Sequence, residues 1–234
     1  TSVPSALVFL FVLSVIFVTS CAVASVSALL KEMRGAAVLL TSFLLSSALI
    51  PLIDGFITAS KNGSDQNLLA LPYINEEFRF RTLLPPSSFT ITFFVALLFC
   101  VLTWLFFNRT FTGRKMYVWG IAPQFAEYCG YSSKKNTFFS LIASCFLNAL
   151  TGLFAVCGTY YTCHKDFYVG MGWNALSCAL IASAHPLAII PVSLFLSWLY
   201  TSADLVSLTQ GFGFDISGIV QGCILFAIAI PFAV

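Results

Sequence analysis

The sequence predicts an all-α integral membrane protein: a bundle of transmembrane helices with one broken, re-entrant helix pair at Trp173–Tyr200. Three observations carry this reading. Of 234 residues, 59% are hydrophobic and only 9% are charged, where a soluble domain carries about 25% charged residues. Apolar runs of about 20 residues, the length of a bilayer-crossing helix, recur along the chain. The stretch "ALIASAHPLAII" (Ala179–Ile190) then sets a histidine and a proline inside one such run.

The runs follow in order: Val3–Leu30, Ala36–Ile57, Phe89–Phe107 and Thr137–Tyr161, with a shorter one at Ile216–Val234. Between the second and third lies a polar loop of balanced charge, Thr58–Ser88, with turn formers at both ends. Its Asn62-Gly63-Ser64 fits a glycosylation sequon, which loops often carry by chance. Lysine and arginine set the orientation. Lys31, Arg34, Arg109, Arg114, Lys115, Lys134 and Lys135 fall on one side; Lys61, Arg79, Arg81 and Lys165 fall on the other. The richer side is cytoplasmic, so 108–136 faces inward and Thr58–Ser88 faces outward.

Trp173–Tyr200 as one straight helix would be about 42 Å long, against roughly 30 Å of hydrocarbon. Broken at His185-Pro186, it becomes arms of about 18 and 24 Å, which suit a hairpin entering and leaving on the outer side. Proline removes a backbone donor and clashes with the preceding turn. Irregular backbone at that depth is tolerated only inside protein or beside a water-filled cavity, so the break marks a candidate pathway. The following loop, Thr201–Asp215, carries Asp204 and Asp215 without lysine or arginine and suits the outer side.

Several classes of function are excluded or weakened. A formal net charge of +2 is uninformative by itself, but there is no basic run to bind phosphates, so no nucleic acid is expected as a partner. The eight cysteines are mostly scattered one per apolar segment, as small buried hydrophobes are. The one cluster, "CGTYYTCH" (Cys157–His164), matches no zinc spacing and reads as a helix end, so no metal is expected. No ionisable residue sits at the centre of a clear span, which removes the usual proton relay of pumps. Asp54, beside Gly55, belongs at the interface.

Two stripes of small residues recur every fourth position. Ser140, Ser144, Asn148 and Gly152 share one helix face, suiting either a packed interface or a cavity lining. Ser20, Ala24 and Ala28 make a similar stripe that is more simply packing. His185 suits a neutral ring capped by a carbonyl, or direct solute contact. Between the basic residues of "GRKMYVWGIAPQFAEYCGYSSKKN" (Gly113–Asn136) lies a short helix, Pro123–Tyr128, begun by proline and stopped near Gly130.

The succession of "TFTGRKMYVWGIAPQFAEYCGYSSKKN", an apolar helix, "GMGWNALSCALIASAHPLAIIPVSLFLSWL" and "GFGFDISGIVQGCILF" resembles the permease subunit of bacterial ABC importers. The branch is the ribose and nucleoside type, closest to the nucleoside permeases. Gly120, Pro123, Ala126, Tyr128 and Gly130 match the family's "G-N-P-x-A-A-x-Y-x-G" block, and Gly172, Ala175, Ala179, Leu180 and Pro186 match its later glycine-rich block. The chain departs where relatives carry glycines flanking the His-Pro region and this one has Ser183 and Ala188. It departs also where they carry a polar Asn-Glu and this one reads Gly35–Leu40.

The resemblance implies one permease domain over 1–234, a translocation subunit that is not an enzyme and holds no cofactor of its own. It also implies that N-terminal helices of a full-length member are missing, and the start at Thr1 directly before an apolar span agrees. ATP and magnesium would be bound by partner ATP-binding cassette subunits, and a second permease, an extracytoplasmic solute-binding protein and membrane lipid would complete the surroundings. The segment 108–136, with Gly113, Arg114, Gly120, Pro123, Ala126, Tyr128 and Gly130, would couple to the ATPase. Ser144, Asn148, Trp173, His185 and Pro186 are candidates for the solute pathway. Thr58–Ser88 and His164–Gly172 are candidates for the binding-protein footprint. The expected solute is a nucleoside, then riboflavin, then a sugar, and the expected location is the bacterial inner membrane. A secondary transporter would share the broken helix but would show an internal repeat, and none is evident. An intramembrane enzyme would need facing catalytic groups that cannot be placed.

Overall fold

The computed structural model describes residues 5–59, 70–80, 82–83, 89–165, 167–168, 170–211 and 216–229. Its elements are α1 (Ser5–Arg34), α2 (Val38–Ala59), α3 (Thr92–Arg109), α4 (Phe111–Ile121), α5 (Pro123–Tyr128), α6 (Ser133–Ala155), α7 (Met171–Ile181), α8 (Ile189–Gln210) and α9 (Ile216–Ala229). The described residues hold no strand, only isolated bridges such as Ala70 with His164. Among the described residues, five helices are long and apolar enough to cross a membrane: α1, α2, α3, α8, and α6 with its continuation to Tyr160. The predicted helical membrane bundle is present. The sequon at Asn62 and the residue Asp215 lie outside the described residues.

The helices gather into two compact units, Thr1–Phe94 with Arg109–Phe167, and Val95–Asn108 with Tyr168–Val234. The first is built around α1 against α6. Ser20, Ala24, Ser27 and Ala28 are buried on α1, and Thr137 and Leu150 on α6. Small side chains let two backbones approach closely where the hydrophobic effect no longer drives helices together. Ser20 Oγ donates to the Cys145 carbonyl of α6 at 3.5 Å, and Phe17 meets Phe146 edge to face at 5.8 Å. The α1 stripe is thus a packing seam.

At one end of this unit, the segment 70–80 is tied to the end of α6. The N–H groups of Leu71, Ile74 and Phe80 donate to the carbonyls of Cys163, Tyr161 and Cys157, each at 2.9 Å. The last turn of α6 widens into a π turn, Val156–Tyr160. Gly158 there accepts a bond from Thr90 Oγ1 at 3.3 Å. A Cβ on Gly158 would stand 3.0 Å from Thr92 Cγ2, so glycine permits this approach. Burial pushes the Cys163 thiol up, and the charge of Asp54 adds to it. Cys157 and Cys163 therefore serve a helix end, with their carbonyls engaged.

In the second unit, α7 packs on α8 and α9, and α8 on α9. The helix breaks where the histidine and proline stand, with α7 ending at Ile181 and α8 starting at Ile189. The second arm departs from expectation: it runs to Gln210 instead of Tyr200, about 33 Å, so most of the expected loop Thr201–Asp215 is helix. Its polar residues looked like loop, but their hydroxyls bond back to the preceding turn. Thr201, Ser202 and Thr209 donate to the carbonyls of Ser197, Trp198 and Leu205 at 2.8, 2.8 and 2.9 Å. Only Gly211, with φ of 65°, stops the helix.

Candidate coupling and translocation site

The segment 108–136 is more helical than its glycines imply. Thr110 caps α4 by accepting a bond from the N–H of Gly113 at 3.1 Å, and that threonine was the signal for a helix the sequence reading missed. Gly113 is buried, whereas Gly120 and Arg114 lie on the exposed side. Pro123 drives the preceding residue out of the helical region; Ala122 stands at φ −137°, ψ 75° and separates α4 from α5. Proline then opens α5 at its first turn, as expected.

The end of α5 is a Schellman motif. Tyr131 N–H donates to the Ala126 carbonyl at 3.0 Å, and Gly130 N–H to that of Glu127 at 2.9 Å. Gly130 has φ of 78°, the left-handed position where glycine carries no penalty. Ala126 is fully buried, while Phe125 and Tyr128 point outward, Tyr128 at 93% exposure. With Tyr117 and Ile121 also exposed on α4, the segment shows apolar side chains on a tightly tied backbone.

This segment is joined to the α1–α6 seam. Lys31, in the last turn of α1, donates to Thr137 Oγ1 of α6 at 3.2 Å. Its ammonium also lies 4.6 Å from the centroid of the Trp119 ring of α4. One half-buried lysine therefore holds three helices at one point. The sequence used Lys31 only to assign orientation.

The pathway candidates divide between the two units. Ser144 and Asn148 are exposed on α6 and bonded to each other, Asn148 Nδ2 donating to the Ser144 carbonyl at 3.1 Å. They stand off the buried α1 seam. Trp173 is 43% exposed in the first turn of α7, which Gly170 opens with φ of 67°. Tyr168 lies over Gly172, its hydroxyl 2.7 Å from where a Cβ would stand. The His185 ring is exposed, and no carbonyl caps it among the described residues; Pro186 is half-buried beside it.

The break itself ends α7 in a second Schellman motif. Ala184 N–H donates to the Ala179 carbonyl at 2.9 Å and Ser183 N–H to that of Leu180 at 3.0 Å. Here Ser183, at φ 49°, holds the left-handed position, followed by Ala184 at 55°. An L side chain there costs roughly 1–2 kcal/mol. Ser183→Gly is therefore expected to raise stability by about 1 kcal/mol, read as a later thermal unfolding midpoint in detergent. An earlier midpoint would show that the serine side chain itself supports the break.

The fold of the described residues defines a multi-pass integral membrane protein. The chain belongs to the family described as branched-chain amino acid transport system / permease component, whose model matches residues 2–229. It is 33% identical over 181 residues to the probable riboflavin import permease protein of Treponema pallidum (strain Nichols), covering 77% of this chain and 48% of that protein. The guanosine ABC transporter permease protein of Bacillus subtilis (strain 168) is 25% identical over 141 residues, 60% of this chain and 40% of that one. The nucleoside ABC transporter permease protein of Lactococcus lactis subsp. cremoris (strain MG1363) is 26% identical over 181 residues, 74% and 48% respectively. The chain spans about half the length, or less, of these relatives. No solved structure matches it.

Proposed function

We propose that 1–234 is one permease domain of an ATP-driven importer, and that it moves a small polar solute by alternating access without catalysing a reaction itself. The observation that carries this is the α4–α5 element. It is a pair of short helices, capped at the start by Thr110 and at the end by the Gly130 turn, with exposed aromatic residues and tied through Lys31 to two long helices. A soluble partner gripping Phe125 and Tyr128 would move a stiff element whose displacement reaches α1 and α6. Gly113, Arg114, Gly120, Pro123, Ala126, Tyr128 and Gly130 form or flank that element, and 108–136 is its cytoplasmic segment. ATP and magnesium belong to the partner ATPase subunits, and a second permease and a solute-binding protein complete the importer.

The solute we assign joins a flat heteroaromatic ring to a ribose-like polyol. Nucleosides and riboflavin share that chemistry, and relatives named for each are similar to this chain. A nucleoside is the first reading from the sequence; the 33% identity to a riboflavin permease favours riboflavin as the second. Ser144 and Asn148 supply exposed polar groups for the polyol, and Trp173 an exposed ring for stacking. His185 and Pro186 mark the break beside which the pathway would run.

The test is a pull-down of the full-length permease from membranes, followed by uptake into proteoliposomes holding the recovered assembly. Recovery of an ATPase and a binding protein, with guanosine or riboflavin accumulating only with ATP, is the expected outcome. Accumulation driven by an ion gradient without any ATPase would replace this reading with a secondary transporter.

A further inference from the structure

We propose that an anionic phospholipid of the cytoplasmic leaflet occupies a groove between the end of α1 and the start of α6. The groove encloses about 420 Å³. Its walls are Leu29 on α1 with Phe138, Phe139 and Ile142 on α6, almost wholly apolar. Lys134 and Lys135 stand at its rim with one carboxylate, Glu32.

The charge at the rim is what selects the occupant. Glu32 lies 3.5 Å from Lys134, an exposed pair that water screens. Lys135 has no acidic partner among the described residues, leaving the rim net positive. The apolar wall begins at the lysines and continues along α6 for about 12 Å, from Lys134 to Ile142. A ligand that fits carries a negative head and a hydrocarbon tail, and both arise together in a phospholipid at the membrane interface. Basic pockets between helices on the cytoplasmic side bind anionic headgroups for this reason.

The position gives the lipid a mechanical role. Thr137, which accepts the bond from Lys31, is part of the groove lining. A tail seated there would brace α1 against α6 directly beneath the point where Trp119 of α4 is held. The assignment to the cytoplasmic leaflet rests on the orientation proposed above. Lipid binding itself needs neither an ATPase nor transport, so its failure is distinguishable from failure of the importer reading.

The experiment is native mass spectrometry of the full-length permease titrated with palmitoyl-oleoyl phosphatidylglycerol or phosphatidylcholine. We expect phosphatidylglycerol to be retained roughly fivefold more strongly, the equivalent of about 1 kcal/mol for the one net positive charge of the rim. Lys134→Gln with Lys135→Gln should erase that preference, while Lys165→Gln, also an exposed lysine but outside the groove, should keep it. Ile142→Trp, which fills the groove and leaves the charges, should lower retention of both lipids. Equal retention of the two lipids by the unaltered protein would overturn the proposal. So would a preference that survives the double glutamine variant, or the absence of any discrete lipid adduct because another segment or a second copy fills the groove.

Discussion

Ala126→Glu is expected to uncouple ATP hydrolysis from solute uptake while leaving the protein in the membrane. Ala126 has no exposed surface, and its carbonyl takes the bond that closes the α5 cap. A glutamate there either buries a charge or displaces α5, at about 2–4 kcal/mol. The long apolar helices that insert are untouched, so expression and membrane insertion should hold. Uptake by the reconstituted importer should fall at least about tenfold, the kinetic equivalent of 1.4 kcal/mol. Tyr128→Ala separates local folding from docking. That side chain is 93% exposed, so its loss should leave stability within about 0.5 kcal/mol. Its effect should appear as weaker recovery of the ATPase subunits, since exposed aromatics are common anchors at interfaces. Wild-type coupling in both variants would remove the docking assignment.

Ala24→Leu should damage the seam on which the first unit is built. Ala24 is 1% exposed, between Ser20 at 4% and Ala28 at 3%, on the face of α1 that meets α6. Three added carbons must push the helices apart, at about 1–3 kcal/mol for overpacking. The separation also strains the Ser20 bond to Cys145 and the Lys31 bond to Thr137, which span the same pair. A thermal unfolding scan in detergent should show a clearly lower midpoint. Val18→Ala, at a position 65% exposed on the same helix, should change it little. Equal midpoints for the two variants would mean that α1 and α6 do not pack as described.

Much of this molecule was legible because membranes restrict what a chain can do. Without water, backbone groups must be satisfied within a helix, so apolar length alone located the spans. The proline and histidine of Ala179–Ile190 located the break, and Pro123 and Gly130 located the ends of α5, because each imposes a local backbone constraint. The boundaries that failed were those where polar residues behaved as helix. Thr201, Ser202 and Thr209 return their hydroxyls to the preceding turn, and Thr110 caps α4. In both places a residue type common in loops is satisfied by the helix itself.

The sequence by itself determined the class of protein, four of its long apolar helices and their order, the break at His185-Pro186 and the short helix from Pro123. All of these follow from composition or from interactions within a few residues. Only the tertiary structure decided which small-residue stripe is a seam, since Ser20–Ala28 and Ser140–Gly152 share one spacing and differ in what lies opposite. It alone also made Lys31 the meeting point of three helices, because that role depends on Trp119 and Thr137, about a hundred residues further along the chain. Periodicity reports a face, but the partner that covers it is chosen by long-range packing.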